Sequence, residues 1–222
     1  MTPTRSASRH VAPVAPASGA AVSRWLAGGI AAGPVFLAAG VAQGVAREGF
    51  DFSRNALSQL ALGEAGWVQT VNFLFAGTLL VMGAVGLRRL LGGNRGGTWG
   101  AVLIGVFGAS FWVAAVFPAD AGAGFPAGAG DSTVMSSHGS VHMAAGMAGY
   151  LALCVALVIL AGSLADRGHR GWAVASRLVP VAVLAGFAAS AASVVAFTAG
   201  ASLGLLWLTA VTTRLACDSV DH

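Results

Sequence analysis

The chain has 222 residues, 56% of them hydrophobic and only 9% charged, with a mean hydropathy of +0.78. Soluble domains carry about 25% charged residues, so the charges here are too few to cover a water-facing surface, and a soluble fold is excluded. The net charge of +4 rests on arginines that stand between apolar runs rather than in one patch, with no lysine at all, which is the pattern of membrane topology and not of a nucleic-acid surface.

In chain order, residues 1–23 are Ala-, Ser- and Pro-rich and read as a disordered cytoplasmic tail ahead of a membrane domain over 24–217 and a short end at 218–222. The first apolar run, 25–46, is too long for the core of a signal peptide and long enough to span. A short amphipathic helix is expected next. Ser53 would cap it, Phe52 and Leu57 would staple it, and Gly63 would end it. Its apolar face would be Ala56, Leu57, Leu60 and Ala61, with Arg54, Asn55, Ser58 and Gln59 opposite. It would lie in the interface or close as a lid over a site.

Further spans follow at 67–87, 99–117 and 141–164. No charged residue stands between Arg177 and Arg214. A single straight helix through that stretch would be about 55 Å long, well beyond the ~30 Å hydrocarbon core. Two spans are therefore expected, the fifth starting near Trp172, with a turn at 198–202 and a short sixth helix. The fold class is an all-α, polytopic transmembrane bundle of six helices with a short amphipathic helix in the first outer loop.

Ten arginines (5, 9, 24, 88, 89, 95, 167, 170, 177 and 214) fall on one side of that topology, and only Arg47 and Arg54 on the other. The positive-inside rule then puts both termini in the cytoplasm of a cell membrane. Trp25, Trp67, Trp99 and Trp172 stand at span starts, where interface anchors belong. Gly29 with Gly33, Gly40 with Gly44, and Gly186 with Ser190 have the four-residue spacing that lets helix backbones approach, here within one bundle. Pro34 and Pro180 are expected to kink their helices. Cys154 and Cys217 lie too far apart along the topology to pair and are expected as free thiols.

The remaining polar groups gather on the outside. His138 and His142 are four apart at the start of the fourth span, so they share a helix face, beside amide groups that attract anions. Asp120, at the end of the third span, is their nearest carboxylate in the topology. Three readings follow. Arg54, His138 and His142 could hold a lipid headgroup. Asp120, His138 and His142 could ligate a metal, zinc by donor type. The cluster could also simply fix loop to bundle by hydrogen bonds. Met135, Met143 and Met147 read as packing rather than as copper ligands. The glycine-rich stretches lack the Lys-Ser/Thr ending of a phosphate loop, and the spans carry no central charge for an ion path. Gln43 and Asn72 are the deepest polar side chains expected.

The order Asp51, Asn55-Ala56-Leu57-Ser58-Gln59-Leu60, Gly66-Trp67, Phe117-Pro118-Ala119-Asp120 and His138-Gly139-Ser140-Val141-His142 resembles the prokaryotic six-helix membrane family called domain of unknown function 998. The layout is more loosely similar to Frag1/DRAM/Sfk1 membrane proteins. A weaker likeness is to intramembrane metal hydrolases that use Ser, Asp and a His pair. The first resemblance implies an architecture; the others imply lipid handling and hydrolysis. The function expected first is binding or handling a membrane lipid at an outward-facing polar site. The alternatives are a metal-dependent membrane hydrolase using Asp120, His138 and His142 with Ser58 assisting, and a structural or partner-binding membrane protein.

Overall fold

The structure, a computed structural model, describes residues 19–92, 95–131 and 134–218. Six helices cover most of them: α1 (Gly19–Ala46), α2 (Gly66–Leu90), α3 (Arg95–Val116), α4 (Ser137–Asp166), α5 (Arg170–Ala188) and α6 (Val194–Asp218). Each is long and apolar enough to cross a membrane, and no strand occurs among the described residues. A five-residue 3-10 helix, Leu57–Ala61, stands between α1 and α2.

Each helix packs on its neighbours in the chain, and α1 on α6 closes the ring. Where two backbones come close, glycine makes the room. Gly29 of α1 meets Gly83 of α2 so closely that a Cβ on either would strike the other's Cα. Gly186 of α5 faces Gly200 and the Ala196 carbonyl of α6 in the same way. Within a membrane, helices gain nothing from leaving lipid for each other except contact, so close approach and hydrogen bonds between them carry the fold. Thr209 donates to the Ile30 carbonyl (3.1 Å), Trp207 to Ser176 Oγ (3.0 Å) and Trp112 to the Leu74 carbonyl (3.2 Å). The buried centre is Leu80, Phe107, Leu153, Leu157, Leu160 and Leu205, none more than 1% exposed.

Antiparallel alternation leaves two unlike ends. Arg24, Arg88, Arg89, Arg95, Arg167, Arg170, Arg177 and Arg214 lie toward one of them, called here the arginine end; Arg5 and Arg9 fall outside the described residues. There His169 of the α4–α5 connection meets Asp218 (2.7 Å), which also takes Arg214 (3.0 Å), pinning the end of α6. The other, capped end carries the 3-10 helix and the loop between α3 and α4.

The chain departs from expectation in three places. Residues 19–23 are helical and extend α1 beyond the expected start, while 1–18 lie outside the described residues. The α5–α6 turn is at 189–193, not 198–202, and α6 is a full 25 residues rather than short. Ser193 Oγ accepts from the Ala196 N–H (3.2 Å) and opens α6. The small residues around Gly200 are a packing surface against α5, which a reading for turn residues mistakes for a break. Pro34 and Pro180 both sit inside continuous helices. Cys154 is buried and Cys217 exposed, both free.

Candidate functional site

The capped end is held by two loops that share hydrogen bonds. Asp51 Oδ1 accepts from the N–H (2.8 Å) and the hydroxyl (2.7 Å) of Ser53, a local turn that keeps the carboxyl below its ordinary range. Ser53 is thereby committed to Asp51 and does not cap the short helix. Asn55, expected on an open polar face, is 1% exposed. Its Oδ1 accepts from the Asp51 N–H (2.9 Å), and its Nδ2 faces the carbonyls of Gly122 (3.5 Å) and Ala123 (3.4 Å). Gln59 donates to the carbonyls of Asp120 (3.2 Å) and Gly122 (3.3 Å), while its Oε1 accepts from the Ala56 N–H (3.1 Å). The polar edge of the short helix is thus a clasp on the second loop. The expected Phe52–Leu57 staple gives way to separate contacts, Phe52 over Gly44 and Leu57 over Gly40 of α1. Leu60, fully buried, seats the helix on the bundle.

Asp120 settles the fate of the α4 terminus. Its carboxylate accepts from the Ser136 N–H (3.0 Å) and the Ser136 hydroxyl (2.5 Å), and Ser136 Oγ accepts in turn from the Gly139 N–H (3.0 Å). These bonds lower the Asp120 pKa, the hydroxyl first and the backbone N–H second. Position 139 has to be glycine for this, since a Cβ there would run into the carboxylate. The anion expected at the helix terminus is therefore the chain's own side chain, and the place anticipated for a headgroup phosphate is filled.

The other candidates separate. His142 is 7% exposed, with Nδ1 2.8 Å from the Phe117 carbonyl. A carbonyl only accepts, so Nδ1 carries the hydrogen. His138, one turn earlier, is exposed and lies against the Phe117 ring (5.4 Å between centroids). Arg54 pairs with Asp131 (2.7 Å) on the exterior, and no hydrogen bond or ion pair joins it to either histidine. Arg54, His138 and His142 thus each make separate contacts, and of the three only His142 lines the cavity described below. Among the described residues no group of three or more His, Cys, Asp or Glu stands close enough to hold a metal ion, so Asp120, His138 and His142 are not assembled as ligands. The physical reason is local: Asp120 is bound to Ser136 and His142 to Phe117.

Ser58 and His142 do meet at a feature that the sequence did not reveal. A cavity of 320 Å³ lies beneath the short helix, walled by α1, α2, α3, α4, α5 and α6. Phe36, Phe73, Phe111, Tyr150, Phe187 and Phe197 stand in its wall, and no Asp, Glu, Lys or Arg lines it. Met143 (52% exposed) and Met147 (41%) stand on its α4 side, so the cavity opens through the flank of the bundle between α4 and the α5–α6 turn. It reaches down α4 from His142 to Tyr150, which is about 12 Å of helix rise. A shallower depression lined by Phe50, Asp51, Phe52, Ser53 and Val195 shares Thr198 and Ser202 with it.

A second polar cluster lies between α1 and α2 near the same end. Gln43 Nε2 donates to the Ala39 carbonyl (3.1 Å) and Gln69 Oε1 (2.7 Å), and Asn72 Nδ2 to the Phe36 carbonyl (3.1 Å) and Gln69 Oε1 (3.1 Å). Gln69, three residues into α2, is fully buried, although only Gln43 and Asn72 were expected from the sequence as deep polar side chains. The two carbonyls fix the amide orientations and leave Gln43 Oε1 and Gln69 Nε2 without partners among the described residues.

Six spanning helices, a clasped cap and an apolar cavity open to the flank define a multi-pass helical membrane protein. The family model described as "Protein of unknown function (DUF998)" matches residues 30–214. The chain belongs to that family. No curated protein and no solved structure matches it.

Proposed function

We propose that this protein binds a membrane lipid by its apolar chain in the cavity between α4 and the α5–α6 turn. The observation that carries the reading is the cavity itself, an aromatic-walled space of 320 Å³ with an opening at Met143 and Met147. Ligand pockets run from about 300 Å³ upward, apolar in wall with a few placed polar groups. This reading keeps the lipid and moves it: His142 and Ser58 contribute to the wall, while Arg54 and His138 do not line it. In the same proposal both termini are cytoplasmic in the cell membrane and the capped end faces outward, on the strength of the arginine split.

The test is photolabelling in nanodiscs with a lipid bearing a diazirine midway along an oleoyl chain. Label should concentrate on α4 peptides around Met147 and on the α5–α6 turn. Gly146 lines the cavity, and a Cβ there meets no atom within 4 Å, so Gly146→Leu fills the space without disturbing a helix contact. This variant should lose the concentrated label and keep the weak label on lipid-facing α3 positions such as Val102 and Val106. Even labelling of all exposed faces, equal in the variant, would sink the reading.

A further inference from the structure

The polar groups around the cavity define what kind of head its lipid carries. Ser58, Ser190, Thr198 and Ser202 line it, and none of their hydroxyls has a hydrogen-bond partner among the described residues. Ser110 and Tyr150 donate their hydrogens to the carbonyls of Phe107 (2.7 Å) and Ala201 (3.3 Å), which leaves their oxygens able to accept. The wall therefore offers both donors and acceptors, all uncharged.

No Lys or Arg stands in the wall, and the arginines nearby are committed. Arg47 donates to the carbonyls of Leu60 (3.2 Å) and Leu62 (2.6 Å) and lies over the Phe125 ring (5.2 Å). Arg54 is paired with Asp131. At the adjoining depression the only ionisable side chain is Asp51, a carboxylate that the Ser53 bonds favour in its charged form. A phosphate or free carboxylate brought here would meet no uncommitted counter-charge and would face Asp51. Burying a charge without a partner is strongly unfavourable, whereas a hydroxyl or ester needs only hydrogen bonds.

From this we infer that the ligand is an uncharged amphiphile, a hydroxyl- or ester-headed lipid of the acylglycerol or long-chain alcohol class, with its head among Ser58, Ser190, Thr198 and Ser202. The inference rests on the chain-binding reading above. It replaces an anionic headgroup held by Arg54 with a neutral one held by hydroxyls.

Two probes with the same chain separate the questions: monooleoylglycerol, and oleoyl lysophosphatidylglycerol, which adds one phosphate. The full chain in neutral detergent is mixed with equal amounts of both and examined by native mass spectrometry. Monooleoylglycerol should be retained at least about ten-fold over the phosphate-bearing probe. The variant Ser190→Ala/Thr198→Val/Ser202→Ala should lower that retention roughly five-fold or more, as expected for the loss of two or three hydrogen bonds. Ser58→Ala alone should lower it about two-fold and serves if the triple variant does not fold. Equal or preferred retention of the phosphate-bearing probe would overturn the neutral head and leave chain binding in place. Retention of neither, in a folded protein, would overturn the chain-binding reading itself. Undiminished retention in both hydroxyl variants would remove the hydroxyls from the site.

Discussion

At the scale of single residues, Asp120 does at the α4 terminus what a bound anion does elsewhere. The site is complete without a ligand: carboxylate, Ser136 and Gly139 satisfy one another, and the dipole end is neutralised from within. Its pH behaviour follows. The folded-state pKa of Asp120 lies below its ordinary 3.8, so its contribution is fully present above that value and is lost as pH falls through the lowered one. Hydrogen exchange of the Gly139 amide should therefore be unchanged, after correction for intrinsic rate, from pH 8 down to about 4, and lose protection only below that, as pH falls through the lowered pKa. Gly139→Ala should give the acid-like exchange at neutral pH, because its methyl occupies the carboxylate's place. Neutral-pH protection surviving that substitution would show that Asp120 is dispensable there. Asn55 illustrates what spacing alone misses. On a helical wheel it falls on the polar side, and that much was legible. That the polar side turns inward was not, because its partners at Gly122 and Ala123 lie in another loop and are backbone carbonyls, which leave no mark in a sequence.

Between helices, the small-residue positions divide sharply into those that touch and those that do not. Gly83 has the Gly29 backbone against it, while a Cβ on Gly162 of α4 meets nothing within 4 Å. Gly83→Leu should force α1 from α2 and destabilise the bundle by about 1–3 kcal/mol or more, and Gly162→Leu should stay within about 0.5 kcal/mol of the parent. Thermal unfolding in one detergent compares them; equal midpoints would refute the contact. The four-residue glycine spacings on α1 were readable as packing faces, and Gly29 and Gly33 do pack, on α2 and α6. The partners could not be read: Gly83 belongs to no such pair, and Gly200, which has Gly204 four residues on, stands in a stretch whose composition suggests a turn. The same ambiguity misplaced the α5–α6 turn. Thr198, Gly200 and Ser202 have turn chemistry, and inside a membrane that chemistry also serves helix contact. The true turn at 189–193 is made of Ala and Ser, whose composition does not stand out from the spans around it.

For the molecule as a whole, span number and alternation were set by apolar length and followed directly from the sequence; the cavity was not, because it is a property of six helices leaving space between them. The distribution of arginine has its own expected outcome. Reporter fusions after Arg95, after Arg170 and at His222 should mark the cytoplasm, and fusions near Glu64 and Gly128 the exterior. An exterior signal from the fusion at His222 would contradict the orientation proposed for the arginine end.

Under the lipid-binding proposal, the position of the opening, at Met143 and Met147 on the flank of α4, decides what the cavity would sense. A guest arriving there never crosses water as a free monomer; it diffuses in the plane and turns into the bundle. Occupancy is then governed by the guest's mole fraction among surrounding lipids, not by its aqueous solubility. A compound too insoluble to measure in buffer can saturate such a site, and diluting the sample with buffer leaves its occupancy unchanged, while diluting the bilayer with inert lipid empties it.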